Sequence, residues 1–104
     1  MVAKHVTSEN FDTLVLNSDR PTIIDFYADW CGPCRMMNPV VEELAKELAG
    51  TAQVVKVNVD EAPDVASRFG VQSIPTFVVL RDGKAKQQLV GVQSKQALKS
   101  ALAG

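Results

Sequence analysis

Hydrophobic positions fall in short blocks whose period switches between that of helices and that of strands. Ser8 precedes Phe11, Leu14 and Val15, and their i, i+3, i+4 spacing predicts a capped amphipathic helix. Residues 22–28 form a compact run rich in isoleucine and aromatics, which predicts a strand buried on both faces. A longer helix is expected from a cysteine-containing stretch at 31–34 through Val40, Val41, Leu44, Ala45 and Leu48, with Gly50 suited to the position after its end. Pro39 inside it lacks an N–H and clashes with the carbonyl of Arg35, which predicts a kink. Residues 53–59 alternate Val55, Val57 and Val59 with Lys56 and Asn58, a strand pattern. Pro63 and Gly70 bracket a short helix carrying Val65, Ala66 and Phe69 on one side. Residues 76–80 and 87–90 flank Asp82-Gly83, a hairpin signal. Ser94 can cap a last helix that buries Ala97, Leu98, Ala101 and Leu102.

The resulting order is β-α-β-α-β-α-β-β-α. Crossover helices imply parallel strands early, and the hairpin adds an antiparallel pair late. An α/β sandwich with one central mixed sheet follows. The 104 residues suit one domain over 1–104 with one continuous core. Hydrophobic content of 46% and charged content of 22% are ordinary for a globular protein. A net charge of −1 gives no case for nucleic-acid binding or an anionic membrane surface, and no apolar stretch reaches bilayer length. The start, Met1-Val2-Ala3-Lys4-His5-Val6, has no apolar run of signal-peptide length. A reducing, cytoplasmic setting is therefore expected, although a processed organellar protein would look the same.

Chemistry concentrates in Trp30-Cys31-Gly32-Pro33-Cys34, which holds the only two cysteines. On a first helical turn, α-carbons three positions apart lie about 5 Å from one another, inside the range a disulfide requires. The pair can thus be a dithiol or a disulfide with little backbone movement. A structural zinc site usually needs four thiolate or imidazole ligands, and only His5 could join the two cysteines. Haem attachment needs a histidine directly after the second cysteine, where Arg35 stands. An iron–sulfur cluster normally takes four cysteines. As a structural staple, so short a loop contributes only ~2 kcal/mol in the chain-entropy model, against ~4.7 for a long one. A redox switch is the leading reading, with no bound cofactor and no metal. His5 reads as a surface or strand residue, and Met36 and Met37 as helix packing in preference to a soft contact surface. Asp60, Glu61 and Asp64 read as a solvated turn and helix start.

Asp25 interrupts Ile23-Ile24-Asp25-Phe26-Tyr27 in what should be a central strand. An ionised carboxylate there is costly to desolvate, so its pKa should rise. An ion pair with Lys56 on a neighbouring strand would limit that rise.

At this point the sequence resembles the thioredoxin family over essentially its whole length. The resemblance rests on Asp25-Phe26-Tyr27-Ala28-Asp29-Trp30-Cys31-Gly32-Pro33-Cys34, then Pro39, Lys56, Asp60, Ile74-Pro75-Thr76, Gly83 and Gly91. It departs mildly at Tyr27, where many members carry Trp, and at Asn38, where a small apolar residue is frequent; neither is expected to touch the sulfur chemistry. The resemblance implies a three-layer sandwich, with a central mixed five-stranded sheet flanked by four helices. It implies general disulfide reduction with Cys31 as nucleophile and Cys34 as resolving thiol. A helix N-terminus favours a thiolate at Cys31, and Cys34, a turn deeper, should be less exposed. Gly32 permits close approach of a partner and Pro33 stiffens the turn; together they influence redox poise. The family uses the position of Asp25 for proton transfer, with Lys56 modulating it.

The same resemblance makes Trp30 part of a half-exposed substrate surface and Pro75 a cis proline against the cysteines. Ile74 would offer backbone groups to an extended client segment, with Gly91 and Val92 lining the groove and Val59 at its edge. The implied partners are a thioredoxin reductase and disulfide-containing client proteins, with the chain acting as a monomer. Two alternatives stay open: an oxidant or isomerase on the same fold, and a non-catalytic assembly or chaperone subunit that uses the groove only to bind.

Overall fold

The computed structural model describes residues 3–104; Met1 and Val2, which head the stretch without a signal-peptide run, lie outside them. Among the described residues the chain runs β1 (Lys4–His5), a π-helical turn (Asp12–Leu16), β2 (Thr22–Tyr27), α1 (Gly32–Glu47), β3 (Gln53–Asn58), α2 (Pro63–Arg68), β4 (Thr76–Arg81), β5 (Lys84–Val90) and α3 (Lys95–Ala103). The five strands form one mixed sheet in the order β1-β3-β2-β4-β5. β1 and β2 each pair with β3 in parallel, while β4 runs antiparallel to β2 and to β5.

Strand periodicity sorts the core into two layers, because successive side chains point to opposite faces. Ile23, Val54, Phe77 and Val79 face Met37, Val41 and Leu44 of α1 and Leu98, Ala101 and Leu102 of α3. Ile24, Phe26, Val55, Val57, Val78 and Leu80 face Phe11, Val15, Val65 and Ala66 on the other side. The expected three-layer sandwich with four helical segments is present, and β2 is apolar on both faces because both are covered.

The hairpin is tighter than its sequence signal. Asp82 and Gly83 both take positive φ, 55° and 75°, which is the two-residue turn whose twist matches the strands. β5 consequently begins at Lys84 rather than 87. Ser94 caps α3 as expected, its Oγ accepting the Ala97 N–H at 3.0 Å. The first helix differs from expectation. It is a single π-helical turn without a side-chain cap, and the Ser8 hydroxyl instead donates to Asp64. Helix α1 runs through Pro39 without interruption. β2 ends at Tyr27, so Ala28 and Asp29 belong to the connection that delivers the cysteines to the start of α1.

Candidate active site

Local hydrogen bonds set the cysteine turn. The Cys31 N–H donates to the Ala28 carbonyl at 3.2 Å, and the Arg35 N–H reaches the Cys31 carbonyl at 3.1 Å. Cys31 is therefore the cap of α1, in extended backbone, rather than its first helical residue. Its Sγ accepts the Cys34 N–H at 3.2 Å, satisfying one of the orphan donors of a helix start. Pro33 occupies the first turn, where no N–H is required. Cys31 and Cys34 are joined as a disulfide with Cα atoms 5.2 Å apart, in line with the spacing argument.

Both sulfur residues are buried in this oxidised state: Cys31 is 5% exposed and Cys34 2%. The expected order holds, but Cys31 is far less open than a freely accessible nucleophile. Ala28, Tyr27, Val59 and Ile74 pack around the pair, and the Ile74 carbonyl oxygen lies 4.0 Å from Cys31 Sγ. The Ile74–Pro75 bond is cis, and the Pro75 carbonyl accepts the Gly91 N–H at 2.8 Å. The loops carrying Cys31, Ile74-Pro75 and Gly91 are thus tied to one end of the sheet.

Around them lies an apolar surface. Trp30 is 69% exposed, more than the half expected, and Val90, Val92 and Met36 are also exposed. Packing, the favoured reading, holds for Met37 and the contact-surface alternative for Met36: one helical step turns the chain by about 100°, so Met37 enters the core while Met36 faces solvent. Asp60, read as part of a solvated turn, accepts the Trp30 indole N–H at 2.9 Å. Nothing in the sequence signals that contact, which joins residues thirty positions apart. His5 lies in β1 and meets Glu61 at 3.0 Å.

Asp25 and Lys56 are cross-strand partners in β2 and β3 and so project to the same face. The ion pair weighed between them is absent. Neither Asp25 oxygen has a hydrogen-bond partner among the described residues. The Lys56 ammonium donates to Asn38 Oδ1 at 2.9 Å and sits 4.5 Å from the Tyr27 ring centroid. Asn38, set aside as a mild departure, thus reaches the buried lysine from α1. Burial pushes the Asp25 carboxyl up from 3.8 to about 7, and the Lys56 charge opposes the rise only in part. A cleft of about 340 Å³ lined by Tyr27, Asp29, Cys34, Arg35, Asn38 and Lys56 opens beside the disulfide. Among the described residues no group of His, Cys, Asp or Glu is placed to hold a metal ion, and no helix is long and apolar enough to cross a membrane.

A redox-convertible cysteine pair at a helix start, beside the exposed Trp30, is equipped for exchange with disulfides of other proteins. Known proteins agree. The thioredoxin family model matches residues 2–104. The chain is 47% identical over 100 residues to thioredoxin 1 of Nostoc sp., covering 96% of this chain and 94% of the relative. It is 43% identical over 97 residues to a thioredoxin of Rickettsia felis, covering 93% and 92%, and 46% identical over 92 residues to thioredoxin 2 of Chlorobaculum tepidum, covering 88% and 84%. With the Cys31–Cys34 disulfide as its redox group, the chain belongs to the thioredoxin family of dithiol–disulfide oxidoreductases.

Proposed function

We propose that this protein reduces disulfides in client proteins as one catalytic unit over residues 1–104, with Cys31 attacking and Cys34 resolving, and is recharged by a thioredoxin reductase. The observation that carries the reading is the Cys31–Cys34 disulfide at the start of α1, with Cys34 lining a cleft together with Lys56, the cross-strand partner of the buried Asp25.

In the reduced protein the start of α1 stabilises a Cys31 thiolate. That thiolate attacks one sulfur of the client disulfide; a Cys31–client bond forms, and the other client sulfur leaves as a thiolate that takes a proton from solvent. Cys34 then gives its proton to the Asp25 carboxylate, relayed by solvent in the cleft. The Cys34 thiolate attacks Cys31 Sγ, the Cys31–client bond breaks, and the second client thiolate departs. Two electrons have passed to the client and the Cys31–Cys34 disulfide is restored. The reductase returns two electrons, and the proton held by Asp25 goes back to Cys34, leaving Cys31 as the thiolate. Lys56 biases the Asp25 proton through its charge, and Gly32 and Pro33 set redox poise through the geometry of the turn.

Trp30, Val59, Ile74, Pro75, Gly91 and Val92 form the client groove in this reading. Support comes from the exposure of Trp30 and Val92 and the approach of the Ile74 carbonyl to Cys31. An extended client segment would pair with the Ile74 backbone. Both cysteines are spent on the redox pair, leaving none for a separate staple, which suits a reducing cytoplasm and a role in cellular electron transport. The protein acts as a monomer.

The test is a turnover assay that couples NADPH-linked and ferredoxin-linked reductases to an insulin-like disulfide. Cys34→Ser should trap a mixed disulfide through Cys31, and Cys31→Ser should trap none. A Cys31→Ser, Cys34→Ser double variant with full biological activity would replace the redox reading by a binding one. A strongly oxidising measured potential would reverse the direction of electron flow.

A further inference from the structure

Lys56 is only 6% exposed, so its ammonium must find an acceptor inside the fold or bear an uncompensated desolvation cost. Two oxygen-bearing groups bear on that choice. One is Asp25, its direct cross-strand partner; the other is the amide of Asn38, which reaches over from α1. The ammonium takes Asn38, at 2.9 Å, and is held on its other side by the Tyr27 ring. Both Asp25 oxygens are left without a hydrogen bond from the described residues. A charged buried lysine beside a carboxylate would ordinarily pair with it, so the side chain that diverts it controls what the carboxylate feels.

We propose that Asn38 is a positioning residue for the proton-transfer step: it draws the Lys56 ammonium away from Asp25 and keeps that carboxyl unpaired and able to carry a proton. The inference rests on the assignment of Asp25 as proton acceptor for its catalytic meaning, but the geometry it describes does not. Other charged or titratable groups around this site are Tyr27 on β2, Cys34 and Arg35 on α1, and Asp29 in the connecting loop, all lining the cleft with Lys56. Arg35 is occupied by the Asp29 carbonyl at 2.8 Å, and Glu42 lines a neighbouring cleft with Asn38 and Lys56 while accepting the Ala3 N–H at 3.0 Å. β4 presents only Phe77 opposite Asp25. Among the described residues, Lys56 is the cation whose charge acts on Asp25.

Truncating Asn38, which is exposed on the helix surface, removes the acceptor without opening the core. The ammonium then turns to Asp25, and an opposite charge at contact distance lowers a carboxyl pKa by roughly 1 unit or more. Carbon-13 NMR of the Asp25 carboxyl in the oxidised protein reads this directly. Asn38→Ala should lower the titration midpoint by about 1 pH unit. Asn38→Asp, which keeps an oxygen acceptor in place, should leave the midpoint at or above that of the parent. In a Lys56→Met background, Asn38→Ala should have no effect, because Asn38 acts only through the lysine. An unchanged or higher midpoint in Asn38→Ala would overturn the proposal, as would an equal change in the Lys56→Met background. The titration needs no client or reductase, so it can fail while the parent protein still reduces disulfides. Conversely, an inactive parent in which Asn38→Ala still lowers the midpoint would count against the proton-acceptor assignment alone.

Discussion

Replacing Asp25 by Ala should make the protein more stable, by an amount that grows with pH. Asp25 is 2% exposed, its oxygens have no hydrogen-bond partner, and burial raises its pKa from 3.8 to about 7. An acid whose folded pKa is raised holds its proton longer in the folded state than in the unfolded one. Its full contribution is present below the unfolded value and is lost as pH climbs through the interval from 3.8 to about 7. A tenfold change in proton affinity is worth about 1.4 kcal/mol. The interval spans roughly three such factors, so the ionised carboxylate costs about 4 kcal/mol above its upper end. Alanine removes that cost and leaves a small void, a penalty of about 1 kcal/mol that does not depend on pH. The stability difference between variant and parent should therefore be flat below pH 4, rise through the interval, and level off above neutrality. Urea unfolding of the oxidised proteins at half-unit pH steps measures it. A difference that stays flat from pH 4 to pH 7 would refute the reasoning. So would an alanine variant less stable than the parent at neutral pH, since that would mean a pairing with Lys56 outweighs the desolvation.

Limiting alkylation of the reduced protein at neutral pH, followed by mapping of the label, should mark Cys31 ahead of Cys34; preferential labelling of Cys34 would invert the assigned roles. Trp30→Ala should leave stability within about 0.5 kcal/mol, as expected for an exposed side chain, yet raise KM for a protein disulfide about tenfold if the indole is a contact anchor. An unchanged KM in steady-state turnover would remove Trp30 from the client surface. Gly83→Ala should lower stability by about 1–2 kcal/mol, because the backbone there has φ of 75° and a Cβ would meet the Leu16 carbonyl oxygen at 3.2 Å. Denaturant midpoints check this, and a neutral substitution would show that the turn relaxes.

Elements whose determinants lie within a few residues were legible in the chain. The cysteine turn is one: its spacing, its proline and its cap all fall inside a single helical turn, so local geometry alone places the sulfurs at disulfide distance. The Asp82-Gly83 hairpin and the Ser94 cap are others. The burial of Asp25 was also readable, because an apolar run on both sides of one carboxylate marks a strand covered on both faces. What the sequence left undecided were choices between partners far apart in the chain. Ser8 had a helix to cap nearby and took Asp64, 56 residues away. Trp30 was set by Asp60, and Met36 and Met37 were separated by which way α1 faces the sheet. The most consequential choice was that of Lys56. The alternation of β3 put it beside Asp25, but only the packing of α1 across the sheet brought the Asn38 amide within 2.9 Å of its ammonium. A buried cation goes to whichever acceptor the assembled layers offer in the better geometry, and that competition exists only once the helix and the sheet have been brought together.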